Sequence, residues 1–244
     1  MGTATTPTAL GDGSEPFVMA RDLSLGDLRM KAYQHVDLDL ARGQAHALCA
    51  QDQGGKTELL LTIAGRMHPT SGSCTVAGND VRTLRGMHAA RKLASIAFID
   101  NVNEVESGLR VRTIVSAELG LAGKRSGSAP TRAFLAEWGL LEQADETIEA
   151  LSQMDYDRLG IALAMAHDPQ LLCVADIERD LTERETLELV DELKGLAAER
   201  GVTVACGVLD YDLAARFDSA TCLTDEARAQ QAAWLQSHRY GKVA

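Results

Sequence analysis

Ala50-Gln51-Asp52-Gln53-Gly54-Gly55-Lys56-Thr57 is the stretch that decides the fold. Small residues at this spacing let a chain curl so that successive backbone N–H groups point inward and cradle phosphate oxygens. Lys56 is placed to reach the outer phosphates of a triphosphate, and the Thr57 hydroxyl to ligate Mg²⁺. The candidate nucleotide-binding set runs from Ala50 through Gln51, Asp52, Gln53, Gly54, Gly55, Lys56 and Thr57 to Glu58, with alanine in place of the usual first glycine. The flanks agree with this reading. Gln44 to Cys49 is short and mostly apolar, as a buried strand should be. Thr57 to Gly65 is rich in Leu and Ile and ends on a stop glycine, which predicts a helix. Such a helix aims its N-terminus, the positive end of its dipole, at the phosphates. The bland alternative is a glycine turn with an incidental lysine.

Working outward, 244 residues suffice for one large α/β domain or two lobes sharing a core. Lys and Arg number 24 against 35 Asp and Glu, a net charge of −11. That balance disfavours nucleic acid, whose binders need a basic face. No apolar run approaches the roughly 20 residues that cross a bilayer, so no direct membrane span is expected. Met1 to Glu15 has neither a basic start nor an apolar core, unlike a secretory signal. Cys49, Cys74, Cys173, Cys206 and Cys222 are far apart and mostly in apolar runs. They read as buried free thiols in a reducing, cytoplasmic setting.

Phe17 to Arg42 suggests two antiparallel strands with a loop near Gly26-Asp27. Ser73 to Ala77 reads as a strand, Leu84 to Lys92 as a basic helix and Ser95 to Ile99 as a further strand. From Asn101 to about Asp168 the pattern is helical throughout, broken at Gly123 to Ala129. Leu171–Ala175, Val202–Cys206 and Ala220–Leu223 are strands, with a helix from about Glu183 to Arg200 between the first two. Alternating strands and helices imply a parallel core sheet, and the all-helical insert a second lobe. The expected division is a tail over 1–16, a nucleotide-binding domain over 17–226 with its helical part near 101–168, and a helical tail over 227–244. Among the histidines, His46 is expected to pack in the core and His167 to meet carbonyls at a helix end. Trp138 and Trp234 are expected to pack lobe contacts or anchor helices.

From Phe17 to about Thr224 the chain resembles the nucleotide-binding domains of ABC transporters. The resemblance is carried by Arg42-Gly43-Gln44 before the loop strand, by Pro69-Thr70-Ser71-Gly72-Ser73 and Ala77-Gly78-Asn79-Asp80, and by Ala164-Met165-Ala166-His167-Asp168-Pro169 before a core strand. Ala197 to Val204 completes it. It implies a P-loop α/β core sheet with an antiparallel β subdomain and an α-helical subdomain. It also implies ATP and Mg²⁺ as ligands. The implied partner is a membrane permease subunit, a complete ABC ATPase subunit, or both.

Measured against that family, the chain departs at several positions. The glutamine that reaches Mg²⁺ and the attacking water is replaced by Asn101. The signature Leu-Ser-Gly-Gly-Gln is replaced by Leu151-Ser152-Gln153-Met154-Asp155, which would set side chains and a negative charge where a phosphate should approach. The paired Asp-Glu after the second core strand falls on Ala175 and Asp176. The histidine after the last core strand falls on Leu209, and the adenine-stacking aromatic on Asp27. The resemblance therefore implies weak ATP binding with slow or absent hydrolysis. Asp176 is the candidate base and Asn101 the candidate water-positioning group, although each also reads as an ordinary loop residue. Working ATPase and nucleotide-free scaffold are the alternatives. A positioned base is worth about 10²–10⁴ in rate, so its loss weighs heavily.

Overall fold

The computed structural model describes residues 15–26, 31–51, 54–99 and 102–239. Strands β1 (Val18–Gly26) and β2 (Lys31–Leu40) come first, followed by β3 (Ala45–Cys49) and helix α1 (Lys56–Ile63). β4 (Ser71–Val76), β5 (Asn79–Asp80), α2 (Leu84–Leu93) and β6 (Ala94–Ile96) follow. The helical lobe holds α3 (Val111–Leu121), α4 (Ser128–Glu137) and α5 (Gln153–Met165). The chain then alternates through β7 (Leu171–Val174), α6 (Glu183–Arg200), β8 (Thr203–Val208), α7 (Tyr211–Ala214), β9 (Ser219–Cys222) and α8 (Asp225–Arg239).

Two sheets result. β2-β1-β4-β5 is antiparallel, and β6-β7-β8-β3-β9 is parallel throughout. The parallel strands explain their own composition. All residues of β3, β7 and β8 are buried, as expected of strands covered on both faces. Alternate residues feed opposite cores. Ala45, Ala47 and Cys49 join Leu172, Val174, Val204 and Cys206 in one cluster with Leu189 and Leu193 of α6. Leu48 and Ala50 join Leu171, Cys173 and Ala205 in another, with Leu59, Leu60 and Ile63 of α1 and the inner residues of β1 and β2. Each fully buried Leu or Ile contributes roughly 1.5–3 kcal/mol. A third cluster, with Val111, Val115, Leu135 and Leu159, fills the helical lobe. Trp138 packs against both the α6 cluster and the lobe cluster. Trp234 meets Tyr211 edge to face at 5.8 Å and so fastens α8 to α7.

Two expectations about elements are corrected. The segment around 142–150 is not α-helical. It forms two short 3₁₀ turns, and Thr147 bridges Arg110 in an extended pairing. The sixth strand stops at Ile96 rather than Ile99. There the Asn103 side chain takes over, accepting from Ile99 N at 2.8 Å and donating to Ala97 O at 3.1 Å. A side chain that satisfies backbone groups locally releases them from a ladder.

Candidate functional site

The loop between β3 and α1 leaves the carboxyl end of a central parallel strand, where open α/β sheets place their ligands. Gly55 is the N-cap of α1 with φ 75°. A Cβ built on it would lie 2.1 Å from Ala32 O and 2.9 Å from Tyr33 Cβ, so only glycine fits between the loop and β2. Lys56 begins the helix, and the amides of its first turn have no partner within the helix. Not all of the loop faces inward. Gly54 N donates to Gln51 O at 3.0 Å, and the Gln51 Oε1 accepts from Thr224 Oγ1 at 2.8 Å. Gln51 is thus tied to the end of β9, which holds the rim of the loop in place. Thr57 and Glu58 are half-buried on the first turn. Asp52 and Gln53 lie outside the described residues, as do Asn101 and Asp27.

Lys56 is buried, with its side chain 6% exposed. Its ammonium stands 3.1 Å from Asp176 Oδ1, close enough for an ion pair, but it makes no aligned hydrogen bond. Asp176 sits just beyond β7 with φ 46°, a conformation that aspartate tolerates better than most residues. The two meet because β7, β8 and β3 are adjacent. Gly207 of β8 lies between them; a Cβ there would be 3.5 Å from Asp176 N and 3.6 Å from Lys56 Cβ. The Asp176 carboxylate is thus turned on the loop lysine.

A second carboxylate joins this edge, and the residue types alone did not single it out. Glu178 accepts a hydrogen bond from Leu209 N, at the end of β8. Burial pushes its pKa up to about 7, and Asp210 and Asp176 push the same way; the Leu209 amide and Lys56 oppose them. A carboxylate three residues past an apolar strand, in so acidic a loop, was the available signal.

The region of the altered signature lies at the start of α5. Ser152 caps that helix, accepting from Asp155 N at 3.1 Å, while its hydroxyl donates to Asp155 Oδ2 at 2.8 Å. Gln153 Nε2 donates to Asp157 Oδ1 at 2.9 Å. Ser152 thus satisfies one amide of the helix start, that of Asp155. Met154 corrects an expectation. It does not project where a phosphate would come; it is buried in the cluster that holds Ile161 and Ile177. Leu151 is half-buried against the lobe core.

The histidines divide. His46 is buried, bonded to Ser219 Oγ at 2.6 Å and Thr221 Oγ1 at 2.9 Å, and burial lowers its pKa to about 3. His167 meets a carboxylate rather than carbonyls, with Nε2 2.6 Å from Glu118 Oε1, because α3 passes beside the end of α5. All five cysteines are buried free thiols.

The donor set fits a triphosphate better than it fits a fully ligated cation. The buried, unbonded ammonium and the glycine-only turn suit phosphate oxygens. For Mg²⁺, Thr57 offers a hydroxyl, but Ala175 carries no ligand. Among the described residues no three His, Cys, Asp or Glu side chains gather as a metal site. No helix among the described residues is long and apolar enough to cross a membrane.

Comparison with known proteins agrees with this geometry. Residues 33–176 match the family model described as ABC transporter. The chain is 32% identical over 206 residues to a phosphonates import ATP-binding protein of Synechococcus sp., covering 79% of this chain and 74% of that one. It is 28% identical over 175 residues to a methionine import ATP-binding protein of Acinetobacter baylyi. That match covers 71% of this chain and 49% of the relative, so the chain spans about half of that relative's length. In fold it is similar to CbiO1 from Clostridium perfringens, with TM-score 0.72 at 19% identity over 86% of both chains. It is also similar to the ATP-binding cassette MJ0796 bound to ADP and Pi, with TM-score 0.70 at 19% identity over 85% of this chain and 94% of that one. The cradle at the end of β3, the two sheets and the helical lobe are thus those of a known architecture, and the chain belongs to the ABC transporter family.

Proposed function

We propose that this chain is the nucleotide-binding subunit of an ABC-type import system, with degenerate chemistry. It binds ATP weakly through the loop from Ala50 to Thr57, with Glu58 beside it, hydrolyses ATP slowly or not at all, and acts through partners. Import follows from the names of the relatives, which are import ATP-binding proteins. The partner is a membrane permease subunit, with or without a more complete ATPase subunit, and this would hold the chain at the inner face of a membrane. Mg²⁺, when bound, neutralises phosphate charge; here Thr57 and the phosphates would have to hold it. The observation that carries the reading is the pairing of Lys56 with Asp176 beside Ala175. It supports a lysine built for phosphate, next to an edge whose two carboxylate positions supply one, already engaged. The same contact disfavours a working ATPase with Asp176 as base, because the carboxylate faces the loop lysine at 3.1 Å.

Calorimetry with ATP, with and without Mg²⁺, followed by a phosphate-release assay, tests the proposal. Measurable binding with release far below about 1 s⁻¹, the low end of ordinary turnover, is expected. Release at or above that rate, lost in Lys56→Ala, would establish the active alternative. No binding at any concentration would establish the scaffold.

A further inference from the structure

We propose that Asp176 is an internal competitor for the phosphates. It neutralises Lys56 in the empty site, nucleotide enters by displacing it, and it thereby sets the affinity of the loop. This deepens the functional reading above and rests on it.

The argument starts from charge. Lys56 is buried at the head of α1, where leaving an ammonium unpaired is costly. Among the described residues the carboxylate within ion-pair distance of it is Asp176, 3.1 Å away. Asp176 is 42% exposed, so it can swing out to water without leaving a buried charge behind. The asymmetry matters, because the lysine needs a counter-charge and the aspartate does not. Glu178 cannot take the same role while it is held on Leu209 N. A triphosphate reaching Lys56 must therefore replace Asp176, and the displaced carboxylate then stands beside an anion of its own sign. Both consequences weaken binding, and both vanish when the charge at position 176 is removed. The geometry of the backbone does not confuse the test, since asparagine tolerates the positive φ of this position as aspartate does.

The experiment titrates ATP, and separately inorganic tripolyphosphate, into wild type, Asp176→Asn, Asp176→Gly, Lys56→Ala and the Lys56→Ala/Asp176→Asn double variant. EDTA is present so that no divalent cation screens the site. Asp176→Asn and Asp176→Gly are expected to bind both ligands about tenfold more tightly than wild type. The double variant is expected to show no such gain. Equal or weaker binding in both single variants, or a gain that survives the loss of Lys56, would overturn the proposal. The functional reading is judged by different arms. If wild type binds and Lys56→Ala does not, yet Asp176→Asn binds no tighter, the loop binds nucleotide and the competitor idea fails. If wild type shows no binding but Asp176→Asn binds through Lys56, the competitor idea stands and wild type is not an ATP binder. If no variant binds, both fail.

Discussion

The carboxyl ends of β3 and β7 lie one strand apart in the same sheet, yet they have been built to different standards. The β3 end keeps what a phosphate needs: a glycine wedged 2.1 Å (as Cβ) from Ala32 O, a buried ammonium, and a helix N-terminus behind it. The β7 end carries fewer groups aimed at a ligand. Ala175 offers no ligand, Asp176 is turned on Lys56, and Glu178 holds the Leu209 amide. Both ends sit on strands buried along their whole length. The difference teaches that sheet packing preserves the frame of a site independently of its chemistry. Strand cores are held by apolar burial, whereas the residues just past them carry little of the stability and are free to change.

The contrast would be broken most sharply by rebuilding the second edge. Ala175→Asp combined with Asp176→Glu is expected to raise phosphate release at saturating ATP and Mg²⁺ by at least about 100-fold, the lower range for a positioned base. No increase in a single-turnover assay would show that the β7 edge is not what limits turnover. The reverse operation spoils the first edge. Lys56→Ala is expected to weaken ATP binding by about 10- to 100-fold, the worth of a charge-assisted contact to phosphate. Calorimetry that finds unchanged affinity would mean that nucleotide, if bound, is held elsewhere.

Groups on β3 and beyond β7 also differ in how they respond to pH. His46 on β3 is neutral when folded, with its pKa lowered to about 3 from 6.5. The unfolded chain binds the extra proton, so stability falls as pH drops below 6.5, by at most about 1.4 kcal/mol per pH unit. Chemical denaturation at pH 7 and pH 5, together with a His46 ring resonance that does not titrate between them, checks this. Glu178 at the β7 edge has the opposite sign. Its folded pKa of about 7 exceeds the ordinary 4.5. Its contribution to stability is therefore present below 4.5 and lost as pH rises through 7. Lys56, Asp176 and Asp210 face it and shift that window together. Glu178→Gln is expected to flatten this slope; a variant whose midpoint still falls between pH 5 and 8 as wild type does would assign the slope elsewhere.

The smallest effect concerns the start of α5. Asp155 is folded back on Ser152, so its amide and a negative charge, rather than a free donor, stand at this position of the helix start. ATP with Mg²⁺ is expected not to drive homodimerisation, and sedimentation that shows a monomer becoming a dimer only with ATP would contradict it. Restoring the signature by Gln153→Gly and Asp155→Gln should leave Met154 alone. Its side chain is in the core, and emptying that space costs about 2–5 kcal/mol.

Sequence alone determined the strand–loop–helix cradle, because its requirements are local: a short, mostly apolar strand, a glycine where φ must be positive, a lysine one residue on. It likewise marked most of the sheet strands, though not β5 or the end of β6, and the long helix after β7. The start of that helix is written as Thr182 followed by Glu185, and the two form a reciprocal cap. It placed Ala175 and Asp176 just past the second core strand. What it left open was everything set by strand order and packing across long separations. Lys56 and Asp176 are 120 positions apart, and meet only because β8 lies between β3 and β7. Glu178 finds Leu209 for the same reason. Met154 turns inward because the α5 start lies over a core that accepts it, and Asn103 ends β6 because its amide reaches three backbone groups of the turn before it. Periodicity and spacing report what a residue's neighbours along the chain require; which charge finds which is settled by where the sheet brings the ends of its strands.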